Sequence, residues 1–470
     1  MSHPLNWDLK TILPAPGTSD FSSIWETYRT SLQELADRSD SLPSLADSSG
    51  TDAWGKFLAD YERSETTACD LYSGIGCYAA DDAENVQIQQ LEAAMSALDP
   101  LRERIAANVE FAFQQIDAAG FDAWLASSPQ MRRIEYFLRL RRRNAQFRLP
   151  KEQELLAADL GVDGIHAWGR LFDRLSGSLK VKVMERGEIV EKSPGQIRFD
   201  VPDRATRENN FFAADRAWKT IEGSCADALN HITGTRLTIY KRLGLRDHFD
   251  APLNFNRMRR ETLEAMWSAV SDRKPMLVDY CQRKANLIGL DQLSWWDVTA
   301  PLPATSSGGD TITYDDACEQ IFSAFEEFTS TFGGFARMAV GDRWIEAEDR
   351  KGKRQGGFCT GFPGKQVSRI FMTYTNTADS MSTLAHELGH AYHSHVLRDQ
   401  PMFLQDYPMN LAETASTFAE AVLGNRRLRT APNSDDRLQI LDGMLGDAVI
   451  YLMNIHCRFI FEDRINQERP

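Results

Sequence analysis

The stretch "MSTLAHELGHAYHSH", residues 381–395, limits what this chain can be more than any other, because it gathers four of the nine histidines. Leu384, Leu388 and Tyr392 recur every fourth residue, which predicts a helix with one packed stripe, and Asp379 and Ser380 are placed to cap its start. On such a helix His386 and His390 stand one turn apart on a second face, where both imidazoles can reach one ion. Glu387 approaches the same space from the side. A catalytic zinc site takes three protein ligands and keeps a position open for water, so this HExxH pair needs a partner from elsewhere.

The partner is expected in "NLAETASTFAEAVLG", residues 410–424. Its spacing predicts a second helix with Leu411, Ala415, Phe418, Ala419 and Val422 on the apolar face and Glu413 and Glu420 on the polar one. The intervening "RDQPMFLQDYPM" is long enough to turn the chain back beside the first helix. Glu413 is then the third ligand, and Glu420 the acceptor that fixes a ligand imidazole. A chance HExxH in a chain of this length is expected at roughly one per cent, and the downstream carboxylate helix lowers that further. His393 and His395 fall past the ion and are expected to be polar neighbours. Glu387 beside a cation would stay ionised without special burial.

The rest reads as helix after helix. Residues 88–116, 259–290 and 314–340 carry apolar residues at three and four spacing. Only 179–201, alternating around Arg-Gly and Pro-Gly, and 367–374, "VSRIFMTY", read as extended, and 300–313 is the clearest break. With 470 residues, 42% of them hydrophobic, the chain can bury a large core in two or three lobes. A net charge of −14 argues against nucleic acid or an anionic membrane as a partner. Seven cysteines without CxxC spacing suggest reduced thiols. No signal-like start and no continuous apolar run of about 18 residues is found, which predicts a cytoplasmic protein.

"TLAHELGHAYH" and "LAETASTFAE" resemble the two active-site helices of the thimet oligopeptidase and oligoendopeptidase F family of zinc metallopeptidases, in its oligoendopeptidase F branch. "RLPKEQELLAADLGVDGIHAWGRLFDRLSGSLKVKV" is similar to that branch's N-terminal lobe, and "FDAPLNFNRMRRETLEAMWSAV" to the start of its catalytic region. The resemblance implies a mainly α, two-lobed zincin-type fold with a deep channel and a small β-ribbon component. It implies an N-terminal helical lobe over 1–200, clearest at 115–185, and a catalytic domain over 201–470. One Zn2+ would be held by His386, His390 and Glu413, with Glu387 as general base and Glu420 behind the ligands. Oligopeptides would be cleaved internally, and their backbone would pair with a strand whose Gly-rich turn resembles "RQGGFCTGF", which gives that role to Gly356, Gly357 and Phe358. Family members continue into a Tyr-rich C-terminal region that contacts the substrate carbonyl. Tyr451 and His456 do not match it, so a truncated chain with impaired activity is expected. A zinc-binding remnant that binds peptides without cleaving them, or another helical HExxH hydrolase such as a carboxypeptidase or aminopeptidase, are the alternatives.

Overall fold

The computed structural model describes residues 2–47, 50–185, 187–197, 199–303, 311–354 and 356–469. The break predicted over 300–313 falls mainly on 304–310, outside the described residues. Helices dominate. The strands among the described residues are β1 (Val181–Glu185), β2 (Glu188–Lys192), β3 (Ile345–Glu346), β4 (Phe358–Phe362) and β5 (Val367–Phe371). The chain packs as two compact units, each built from two pieces: Met1–Phe147 with Asp310–Arg426, and Arg148–Gly309 with Arg427–Pro470. A single boundary near residue 200 follows chain order, whereas the packing interleaves the pieces.

In the first unit, long helices at Ser19–Ser39, Thr51–Asp81 and Asp99–Gln114 enclose an aromatic core. The ring of Trp54 lies 5.7 Å from Phe113 and 5.6 Å from Trp124. The helix expected over 88–116 is two, Val86–Ser96 and Asp99–Gln114. Pro100 is the reason, since it lacks an N–H and fits only a first turn. Residues 314–340 likewise form a hairpin of Tyr314–Phe328 and Ser330–Gly341, because Thr329 caps the second helix by accepting from the Phe332 N–H at 3.1 Å.

A three-stranded sheet in the order β3-β5-β4 lies against the helix Ala378–Leu397. β5 runs parallel to β3 and antiparallel to β4, with Phe358 opposite Phe371 and Phe362 opposite Val367. As the central strand it is buried from Ser368 to Phe371, and even Arg369 is accommodated, its guanidinium donating to the carbonyls of Asp8 and Ser368. The HExxH helix buries Leu384 and Leu388, as its stripe predicts, while Tyr392 is partly buried against the same core. Its N-cap is Thr377 in place of the expected Asp379 and Ser380: the Thr377 hydroxyl accepts from the Ser380 N–H at 3.1 Å.

The second unit holds the predicted ribbon, with β1 and β2 paired in register from Val181 opposite Lys192 to Glu185 opposite Glu188. Its apolar cluster is small, centred on Val181, Val183, Ile197 and Ala213. Buried ion pairs supplement it: Arg207 to Asp297 at 2.9 Å and Lys284 to Asp442 at 2.9 Å. Ser434–Glu468 runs as one continuous helical stretch of 35 residues, with a π-helical turn at Ile450–Asn454. By length and composition it is long and apolar enough to cross a membrane although no continuous apolar run of about 18 residues occurs in it, and 11% of its most apolar window is buried.

Candidate metal centre

The site begins with a helix pair that only small residues permit. A Cβ on Gly389 would lie 2.6 Å from the Ala415 carbonyl oxygen, 2.8 Å from Ser416 Cα and 2.9 Å from Ala419 Cβ. Backbone therefore meets backbone where the HExxH helix crosses Thr414–Thr430. This close approach explains a departure from the predicted apolar face. The buried residues of the second helix are Ser416, Ala419 and Leu423, while Leu411 and Phe418 are exposed, because a large side chain cannot enter so narrow a contact.

Glu413 departs from the expected position within a helix. It sits at the break between Met409–Ala412 and Thr414–Thr430, with φ −90° and ψ 5°. From there its Oε2 lies 3.2 Å from His386 Nε2 and 3.3 Å from His390 Nε2, and the two nitrogens are 3.1 Å apart. Three ligands about 2.05 Å from a tetrahedral ion are separated by about 3.3 Å, so this nearly equilateral triangle has the dimensions of one face of a zinc tetrahedron. Ser416 Oγ donates to Glu413 Oε2 at 2.7 Å and restrains the carboxylate.

Behind the triangle, Glu420 Oε1 accepts from His386 Nδ1 at 2.7 Å, and Ser382 Oγ donates to Glu420 Oε2 at 3.1 Å. A carboxylate only accepts, so the proton of His386 is placed on Nδ1 and the Nε2 lone pair faces the centre of the triangle. That lone pair, a second imidazole nitrogen and a carboxylate oxygen make a donor set that a cation satisfies. His386, His390 and Glu413 are the group of this kind among the described residues. The hydrogen bond to Glu420 pushes the His386 pKa up, against its burial and together with the charges of Glu387, Glu420 and Glu413. Burial pushes His390 down.

Glu387 is more enclosed than expected, only 6% exposed, and its Oε2 is buried without a hydrogen-bond partner. With protein groups alone, burial pushes its carboxyl up to about 7; His386 opposes the rise, and Glu413 and Glu420 add to it. The Gly-rich turn reaches this carboxylate. Gly356 adopts φ +97°, a left-handed conformation that favours glycine, and a Cβ on Gly357 would lie 3.3 Å from the Phe371 carbonyl oxygen and 3.4 Å from Glu387 Oε1. Phe358 then starts β4, whose outer edge pairs with no strand among the described residues.

Sequence reasoning missed Gly389, Ser382 and Ser416. The signal available for the first was the run of small residues Ala415, Ser416 and Ala419 opposite a glycine. His393 and His395 do lie outside the triangle. His393 stacks on Tyr407 with ring centroids 4.3 Å apart, and His395 lies beside Phe335 at 4.8 Å.

Comparison with known proteins places the chain in a family. The group B oligopeptidase PepB of Streptococcus agalactiae is 25% identical over 456 residues, covering 93% of this chain and 72% of the relative. An oligoendopeptidase F homolog of Lactococcus lactis subsp. lactis is 23% identical over 460 residues, covering 95% and 73%. Among solved structures, oligoendopeptidase-F from Enterococcus faecium superimposes with a TM-score of 0.64 at 18% identity, over 95% of this chain and 75% of that one, which shows a shared fold. Residues 113–180 match the family described as Oligopeptidase F. Residues 199–460, more than half of the chain and including the whole donor triangle, match Peptidase family M3, and the chain belongs to that family.

Proposed function

We propose that this chain is a zinc-dependent endopeptidase that hydrolyses internal bonds of short, unstructured peptides. The observation that carries the reading is the triangle of His386, His390 and Glu413 with the unpartnered Glu387 carboxylate beside it. His386 Nε2, His390 Nε2 and a Glu413 oxygen would hold the ion, with Glu420 and Ser382 keeping His386 in the required tautomer. A bound zinc ion supplies Lewis-acid polarisation of a carbonyl and lowers the pKa of water. Glu387 takes the proton of the attacking water on its free Oε2 and passes it to the leaving amide nitrogen. The edge of β4 that pairs with no strand among the described residues offers backbone groups to an extended peptide at its Phe358 end. That end adjoins Gly357, where a Cβ would lie 3.4 Å from Glu387 Oε1, and Gly356 supplies the turn into it. The Gly361 carbonyl already accepts from Ser73 Oγ at 2.8 Å. Both relatives named above are called oligopeptidases or their homologues, and a net charge of −14 agrees with a peptide ligand in preference to a nucleic acid.

The test separates holding the ion from using it. Purified wild type should contain one zinc per chain and cleave an end-blocked, internally quenched peptide, which an exopeptidase cannot do. His386→Ala and Glu413→Ala should lose the metal. Glu387→Gln should keep it and lose about 10³-fold or more in turnover. Equal metal in wild type and both ligand variants, or wild-type cleavage by the Gln variant, would overturn the assignment.

A further inference from the structure

β4 divides its side chains between two helices. Thr360 Oγ1 lies 2.7 Å from Ser73 Oγ on the helix Thr51–Asp81, and Phe362 and Phe371 pack with Cys77 and Ala80 of the same helix. Side chains alternate along a strand, so Cys359 and Gly361 belong to the opposite face, with Ile370, which shares a core cluster with Leu384 and Leu388 of the HExxH helix. Gly361 contributes no side chain there, and a Cβ on it would meet nothing within 4 Å. The space it leaves is part of a cavity of about 250 Å³. Gly361 and Ser368 of the sheet bound it, together with Ser394 and Leu397 of the HExxH helix and Met402 and Tyr407 of the segment that leads to Glu413.

Two routes tie this cavity to the donor triangle. Ser394 follows His390 by four residues, one helical turn, so it projects from nearly the same side about 6 Å further along the axis. Gly361 follows Gly357, which abuts Glu387, by four residues of extended chain, about 13 Å. A peptide that pairs with β4 at its Phe358 end advances about 3.3 Å per residue and turns alternate side chains to the two faces of the sheet. One side chain, two or three residues from the scissile bond, therefore points to the face on which the cavity lies, and its immediate neighbours point away.

The lining sets what can enter. Pockets that hold a whole small-molecule ligand run to about 300–1,000 Å³, so this volume suits a single side chain. Its surface is mostly apolar. The charged groups on its boundary are already engaged: the Arg398 guanidinium donates to the His395 carbonyl and lies 3.7 Å from Asp399, and Asp406 is engaged as well. Burial, helped by Arg398 and opposed by Asp399, pushes the His395 pKa down and leaves its imidazole neutral. A charged side chain would compete for partners already taken, whereas an aliphatic one only leaves water.

We propose that this cavity is a specificity pocket for one large aliphatic side chain of the peptide, two or three residues from the bond being cut, and that Gly361 is the residue that keeps it open. This rests on the peptidase reading of the site.

The experiment uses peptides in which a phosphinate replaces the scissile amide and every residue is alanine, except for a single leucine at the second or third residue on either side. Calorimetric affinities are measured for wild type, Gly361→Val and Ser394→Leu, alongside zinc content, melting temperature and turnover of the quenched peptide. One placement of leucine should bind wild type about 10-fold or more tighter than the all-alanine peptide, as added methylenes in an apolar pocket do. The other placements should gain little. Gly361→Val fills the cavity from the sheet, at a strand position that suits a β-branched residue, and Ser394→Leu fills it from the helix. Each should bring that affinity ratio down towards one and keep the wild-type zinc content. Variants on opposite walls keep the test decisive if one of them fails to fold. A wild type without a preferred placement, or a preference that survives undiminished in either folded variant, overturns the pocket and leaves the peptidase reading standing. A wild type that binds the phosphinates and cleaves nothing overturns the peptidase reading, and the affinity ratio still decides the pocket. Binding of none of the phosphinates by wild type overturns both.

Discussion

The two units hold themselves together by different means. In the first, Trp54, Phe57, Phe113, Phe121 and Trp124 pack ring against ring, and a second apolar layer lies under the sheet and the HExxH helix. In the second, the apolar cluster is a few residues around the ribbon. The helix Ile165–Ser178 buries none of its residues, and Leu155, Leu156 and Leu160 on the preceding helix are exposed. Order there depends more on buried charge pairs. Every member of the donor triangle lies in the first unit. A metal site needs its ligands held to within a fraction of an ångström, and close packing supplies that where a sparse core cannot.

The largest effect expected from this contrast is in the second unit. Lys284 Nζ lies 2.9 Å from Asp442 Oδ2, and Tyr280 donates to the other carboxylate oxygen at 2.6 Å. Lys284→Met leaves Asp442 largely enclosed without its counter-charge, which should cost about 3–5 kcal/mol. Adding Asp442→Leu should restore much of it, because an apolar pair of similar volume avoids the desolvation cost. Urea unfolding of the single and double variants measures both. A loss below about 1 kcal/mol in the single variant would mean that the second unit does not lean on this pair.

Two helical glycines sharpen the comparison with opposite signs. Gly389→Ala forces a methyl into the backbone of the neighbouring helix and should destabilise by about 1–3 kcal/mol while weakening zinc binding. Gly169, in the sparsely packed helix Ile165–Ser178, would meet nothing within 4 Å. Gly169→Ala should therefore stabilise by up to about 1 kcal/mol through helix propensity and leave zinc binding unchanged. Melting curves and zinc titration of both variants check the pair. Equal signs would erase the distinction.

These glycines also show what the sequence could and could not disclose. His386, Glu387 and His390 could be set on one helix from a 3.6-residue period without any knowledge of the surroundings, and the helical content was legible for the same reason, whereas Glu413, expected within a helix, sits at the break between two. The buried face of the second helix was not legible. Leu411 and Phe418 carry the strongest apolar signal there and lie exposed, since the contact is decided by how closely Gly389 lets two backbones approach. The cap at Thr377 was read two residues late, because Thr377, Asp379 and Ser380 are all competent caps and only the path of β5 into the helix selects among them. The interleaved units were illegible because they depend on contacts between distant pieces of chain, which no local period records.

The smallest effect concerns a buried acid in each unit. Asp297 is fully buried in the second unit; burial alone would raise its pKa, but Arg207, the Ser294 N–H and Arg204 outweigh that and hold the carboxyl below the usual range. Asp70, in the first unit, has the Gly364 N–H at 3.1 Å and the charge of Lys365, and burial still wins, pushing its carboxyl up to about 6. The folded state thus binds the Asp70 proton more tightly than the unfolded chain does. Its contribution is fully present below the unfolded value near 3.8 and is lost as pH rises through about 6. Asp70→Asn keeps an oxygen for the Gly364 N–H and removes the titration, so the fall in stability between pH 4 and 6 should become shallower and the variant should gain on wild type at pH 7. Partial exposure of the site and solvent screening keep the gain modest. Urea midpoints of both proteins across that range decide it, and parallel profiles would mean that the first unit solvates Asp70 as readily as an open surface would.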